Sequence, residues 1–130
     1  MWKHLTFLYL ALATTAGQKP DKSGWTYFEK TGFQYRVFHQ PSKFAEAQRL
    51  CQNYGAEVAS IHSQEENDLI YEMSSYDKKP GKGQQGREFM WIGLKKHGKK
   101  WTWIDKTPVD FTAWAKYQPD DWNNSEKCGQ

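Results

Sequence analysis

The chain has 130 residues, of which 25% are charged and 16% aromatic, with a formal charge of +3. That length holds one domain around a modest core, and the small positive balance gives no argument for a nucleic-acid partner. Beyond the first apolar stretch, no segment is long and apolar enough to span a bilayer.

Met1-Trp2-Lys3-His4 is a short positive lead, Leu5 to Ala13 is almost wholly apolar, and small residues follow through Gly17. That order is the pattern of a secretory signal peptide over residues 1–17, cut near Ala16 or Gly17. An N-terminal strand is the alternative. Losing the leader removes Lys3 and takes the formal charge from +3 to +2. Residues 18–23 are polar, contain Pro20 and read as a linker. The mature chain, residues 24–130, is expected to be secreted and extracellular.

Trp25, Tyr27, Phe33, Tyr35 and Val37 alternate around Gly32, which predicts strand, turn and strand. Pro41-Ser42 opens a helix with Ser42 as its cap. Phe44, Ala47, Leu50 and Cys51 share one face of it, and Gly55 stops it. Val58 to Ile61 reads as extended. Ser63, with Glu66 three residues on, is a capping box for a second helix that aligns Leu69, Ile70, Met73 and Tyr76. Asp77 to Arg87 is rich in Gly and Lys and reads as a loop. Phe89 to Leu94 predicts one buried strand, Lys95 to Lys100 a solvated turn around Gly98, and Trp101 to Ile104 another strand. Phe111 and Trp114 lead into the loop carrying Gln118. Strands, two helices, then strands make an α+β class without βαβ alternation. High aromatic content, with seven Trp, suits a small core filled by large rings. In an exported chain the default reading pairs Cys51 with Cys128.

From Gly24 to the end the chain resembles a C-type lectin-like domain. The resemblance rests on Phe44-x-x-Ala47-x-x-x-Cys51, Gly55 to Ile61, Trp91-Ile92-Gly93-Leu94, Trp114, Gln118-Pro119-Asp120, Glu126 and Cys128, in order and register. It implies two helices, small antiparallel sheets and a site where sugar binds through calcium, Ca2+. That ion takes about six to eight oxygens at roughly 2.3–2.6 Å. Gln118 would give an amide oxygen, and Asp120 and Glu126 carboxylates. The family keeps the intervening proline cis. Its Gln-Pro-Asp members favour galactose or N-acetylgalactosamine, its Glu-Pro-Asn members mannose, because exchanging amide and acid moves the hydrogen-bond donor across the ion. An indole at Trp122 would pack on the apolar face of galactose. A buried loop anchor is the plainer role for Trp122, and a polar turn around a proline the plainer one for Gln118 and Asp120.

The sequence departs from that pattern in four respects. The Trp-Asn-Asp strand with further calcium ligands would follow Cys128, so the last strands are missing and the sequence reads as a C-terminally incomplete domain. The family's cysteine partners for Cys51 and Cys128 would also follow, which leaves both as thiols here. Loss of the last strand opens a sheet edge near Trp25 to Tyr27. Lys95 and Lys96 stand where other members carry acids for an auxiliary ion. Asn123-Asn124-Ser125 is a glycosylation sequon in the same loop.

The leading expectation is a secreted, calcium-dependent lectin whose partners are glycans with terminal galactose-type sugars. The carbohydrate contacts are Gln118, Asp120, Trp122 and Glu126, and Gln118, Asp120 and Glu126 are also the metal ligands. The rival is a lectin-like domain that binds a protein partner through its loops without calcium or sugar, or a truncated chain that binds nothing. An enzyme is not expected. His39, His62 and His97 lack metal-ligand spacing, and no nucleophile elbow or phosphate loop is present.

Overall fold

The computed structural model describes residues 6–13, 24–40, 42–75, 89–121 and 125–130. The strands are β1 (Thr6–Ala13), β2 (Thr26–Phe28), β3 (Phe33–His39), β4 (Phe89–Trp91), β5 (Leu94–His97) and β6 (Lys100–Trp103); the helices are α1 (Phe44–Asn53) and α2 (Gln64–Ser75). The expected α+β class holds. One sheet has the order β2-β3-β1-β4, and β5 pairs with β6 in a second. The larger sheet is mixed: β1 runs antiparallel to β3 and parallel to β4. The apolar stretch of the expected leader is thus an inner strand here, and β2 is one of the two outer strands, where an open edge was expected.

Two expected elements differ in detail. Helix α1 is capped by Lys43, whose N–H donates to Glu46 Oε2 at 3.0 Å. Ser42 does not cap: its hydroxyl is buried without a partner, and its carbonyl accepts Trp91 Nε1–H at 3.0 Å. The helix stops as expected, with Gly55 at φ +70 and its N–H on the Gln52 carbonyl, a conformation that Gly adopts without Cβ penalty.

The run Phe89 to Leu94 is two strands in two sheets, broken at Ile92-Gly93. Gly93 causes the break. Its N–H donates to the Ala59 carbonyl at 2.8 Å, and its own carbonyl accepts from Ile104 at 2.9 Å. A Cβ there would lie 2.4 Å from the Val58 carbonyl. The backbone leaves the first sheet to bond the segment after α1, which periodicity cannot report.

The core has two parts. Trp25, Ala47, Cys51, Ala56 and Val58 form one; Tyr35, Ala59, Ile61, Ile70, Leu94 and Trp103 form the other. Ser63 caps α2 as expected, its hydroxyl accepting the Glu66 N–H at 3.1 Å. The Glu66 carboxyl does not close back on Ser63. It is buried, accepting the His62 N–H at 2.7 Å and the Tyr35 hydroxyl at 2.5 Å. The cap of α2 is thereby tied to the centre of β3. Burial, then the bond to Glu66, pushes the Tyr35 phenol well above its usual range.

Candidate functional site

Strand β5 organises the site. The segment Lys127 to Gly129 lies along it: Lys95 bridges Cys128, Lys96 N–H donates to the Lys127 carbonyl at 2.9 Å, and Gly129 N–H to the Leu94 carbonyl at 2.6 Å. A Cβ on Gly129 would sit 2.8 Å from Leu94 Cβ, so glycine allows this close approach. The pairing places Glu126 at the end of β5, facing the loop that carries Gln118.

That loop turns through a cis Gln118–Pro119 peptide, as expected. Gln118 Oε1 accepts the Asp120 N–H at 3.4 Å, and the Asp120 and Glu126 carboxyls are within hydrogen-bonding reach. Partial burial, then the charge of Asp120 and that contact, then the charge of Asp121, push the Glu126 carboxyl up. Gln118, Asp120 and Glu126 are therefore brought together. Trp122 and the sequon residues Asn123 and Asn124 lie outside the described residues, as do Tyr76 and the loop Asp77 to Arg87.

The Lys95–Lys96 pair is not a solvated turn. Both belong to β5, and the reversal is made by Gly98, at φ +60, with Lys99. Lys95 Nζ lies 5.0 Å from the Phe44 ring centroid. Lys96 Nζ is bonded to Asp121 Oδ2, with side chains 12% and 21% exposed, and Asp121 Oδ1 accepts the Glu126 N–H at 3.2 Å. The Lys96 bond holds the Asp121 carboxyl below the usual range; partial burial opposes it, and the nearby charge of Lys127 reinforces it.

Among the described residues, no three His, Cys, Asp or Glu side chains converge on a point that would hold an ion. The donors are nonetheless hard oxygens of the kind calcium takes. The Glu126 carboxyl is raised first by burial and then by Asp120 and Asp121, and a cation among these acids would offset the second part.

Cys51 and Cys128 form no disulfide, against the default pairing and in line with what the family resemblance implied. Burial, with the charge of Glu57, pushes the Cys51 thiol up to about 12. Burial also raises Cys128, against the opposing charge of Lys95. Neither is a reactive thiolate at neutral pH.

A polar cluster escaped the sequence reading. His62 Nδ1 meets Asp110 Oδ1 at 2.6 Å, and Nε2 faces Ser60 Oγ at 3.1 Å and Thr107 Oγ1 at 3.0 Å. Both hydroxyls donate to Asp105, Ser60 at 2.5 Å and Thr107 at 2.6 Å. Ser60 is thereby committed to a carboxylate and is not poised as a nucleophile. Burial pushes Asp105 up, but the Ser60 and Thr107 hydrogen bonds outweigh it and hold the carboxyl low. The cluster clamps the loop after β6 onto the segment before α2. It joins Ser60 and His62 to Asp105, Thr107 and Asp110, more than forty positions further on, so no local motif announces it.

The Lectin C-type domain family matches residues 40–130. The C-type lectin BJcuL of Bothrops jararacussu is 32% identical over 127 residues, covering 94% of this chain and 74% of that protein. A C-type lectin galactose-binding isoform of Pseudechis porphyriacus is 36% identical over 108 residues, covering 78% of this chain and 63% of that protein. Among solved structures, the cow C-type carbohydrate-recognition domain of CD23, crystallised in the presence of a GlcNAc2Man3 oligosaccharide, superposes with a TM-score of 0.63 at 27% identity. That match covers 84% of this chain and 76% of that one.

Proposed function

Since this chain belongs to the C-type lectin domain family, we propose that it is an exported, calcium-dependent lectin for glycans ending in galactose or N-acetylgalactosamine. The observation that carries the reading is the cis Gln118–Pro119 turn, which sets an amide oxygen against Asp120 while Asp120 meets Glu126. Gln118, Asp120 and Glu126 would hold the ion. The ion, when bound, supplies positive charge and open positions for sugar hydroxyls. Three side chains fall short of the about six to eight oxygens calcium takes, so water and sugar complete the shell.

The remaining chemistry belongs to the chain. The Gln118 amide can donate as well as accept, whereas Asp120 and Glu126, once ionised, accept only. This asymmetry selects the arrangement of the bound hydroxyl pair, and the galactose-binding relative supports the galactose sense. Trp122 is proposed to pack on the sugar's apolar face. Export rests on the residue order of the first seventeen positions. It gains support from the BJcuL match, which at 94% of the chain reaches back before Gln18. Among the described residues no helix is long and apolar enough to cross a membrane. We read the chain as a binding domain, not an enzyme.

A second reading has its own observation. Asp121 is bonded to Lys96 of β5, and residues 127–129 are tied to the same strand by backbone bonds, so the chain's own contacts shape this face, which would suit a protein partner. Retention on immobilised galactose separates the two. The lectin stays bound in millimolar calcium, elutes with chelator and is displaced by free galactose before mannose. A chain that passes through the column in calcium, or that chelator does not release, is not a calcium lectin.

A further inference from the structure

Tyr117 precedes the Gln118 turn and, among the described residues, is the most exposed of the large hydrophobic side chains. The Gln118 N–H donates to the Ala115 carbonyl at 2.9 Å, closing a four-residue turn with Tyr117 in third place at φ +71. A positive φ at the third position is the mark of a type II turn, which takes Gly or Asn there. A bulky residue in that conformation is a strained outlier. Packing does not offset the strain, because Tyr117 is 80% exposed. Its ring has Lys116 Nζ at 4.8 Å from the centroid, a cation supplied by its own chain neighbour. Trp114, three residues earlier, is only 37% exposed and lies tilted against Trp101 at 5.2 Å, so the same loop does have a way to shelter part of a ring.

We propose that Tyr117 is a saccharide contact: an aromatic lip beside Gln118 that packs against the unit following the terminal galactose, either a second sugar or an aryl aglycone. A tyrosine suits this role because it offers a large, stiff surface with an apolar face and a polar tip, and loses little side-chain freedom on binding. Folding alone would favour glycine at this backbone position. The residue that is present gives up that ease and puts a ring into solvent at the edge of the ion-and-sugar loop. The inference rests on the calcium-lectin reading and extends it from a single sugar to a disaccharide.

The test titrates the whole chain in calcium with methyl galactoside, lactose and a nitrophenyl galactoside, comparing wild type with Tyr117→Gly and Tyr117→Phe. Tyr117→Gly is expected to keep its affinity for methyl galactoside within about twofold and to weaken lactose and the aryl galactoside by about fivefold to tenfold, with an unchanged or higher Tm. Tyr117→Phe should retain most of the difference between the ligands. Equal affinities in wild type and Tyr117→Gly for all three ligands overturn the proposal. So does a uniform loss accompanied by a lower Tm, which would mark Tyr117 as a loop-shaping residue. If wild type binds none of the three in calcium, the calcium-lectin reading itself fails and this inference with it.

Discussion

The Lys96 ammonium is bonded to the Asp121 carboxylate, and the other oxygen of that carboxylate accepts the Glu126 N–H. A strand cation, a loop acid and a proposed calcium ligand are thereby joined in one chain of contacts. Asp121 itself has φ +49, a conformation Asp tolerates better than most residues. Lys96→Met is predicted to lower the Tm by a few degrees at pH 7. Lys96 is the main reason the folded Asp121 carboxyl lies below its usual value. Its stabilisation is therefore present above the unfolded carboxylate pKa, about 3.9, and lost as pH falls through the folded value. Thermal melts of wild type and variant should converge as the pH falls below the folded Asp121 value. An undiminished gap in acid would show that packing of the lysine stem, and not its charge, is what the variant removes.

Gly93→Ala should be among the most damaging small substitutions. Its Cβ would stand 2.4 Å from the Val58 carbonyl, with backbone on one side and Ile104 Cγ1 at 3.2 Å. Neither the Gly93–Ala59 nor the Ile104–Gly93 hydrogen bond can lengthen without moving a sheet. The expected loss is about 2–3 kcal/mol by urea denaturation. A loss of only a few tenths would mean that the segment after α1 shifts freely.

The buried Glu66 couples α2 to β3 through Tyr35. Tyr35→Phe removes the phenol hydroxyl and leaves the Glu66 carboxyl with the His62 N–H. Leaving a buried polar group short of a partner costs about 1–3 kcal/mol, and the loss should lie in that range. Glu66→Gln should cost less, since its amide oxygen can keep the His62 N–H while its NH2 donates to the Tyr35 hydroxyl, which can turn its own hydrogen to Thr31 Oγ1. Chemical denaturation of the two variants gives the order directly.

How far the sequence discloses this molecule depends on the range of each interaction. Strands β2 and β3, the burial face of α1 and the Ser63 cap are local patterns, and alternation or spacing reads them. The Gln118-Pro119-Asp120 turn was legible through resemblance, down to its cis bond. The split of Phe89 to Leu94 was not legible, because it depends on Gly93 meeting Val58 and Ala59 from elsewhere in the chain. Ser42 was assigned a cap because cap preference is a local statistic. Its carbonyl instead serves Trp91, and Lys43 closes the helix. Lys96 read as one of a run of solvated cations, since nothing near it in sequence announces Asp121. Long-range polar pairings, Ser60 with Asp105 and His62 with Asp110 among them, carry no periodic signal.

The N-terminal strand sets up a direct contest between two readings of the same residues. Residues Phe7 to Ala13 pair with β3 along the whole of that strand, and the same stretch has the character of an export leader. We predict that the exported protein begins at Gly17 or Gln18, which removes β1 and uncovers an edge of β3. Intact mass and N-terminal sequencing of secreted material decide the matter. A chain that retains Thr6 would make this stretch a permanent part of the sheet.

Calorimetric titration of calcium into the whole chain, with Asp120→Ala as the comparison, tests the central claim most directly. The account predicts saturable uptake of one ion at the Gln118 loop, strengthened by methyl galactoside and abolished by Asp120→Ala. No uptake at millimolar calcium, or uptake indifferent to both the sugar and Asp120, would contradict it.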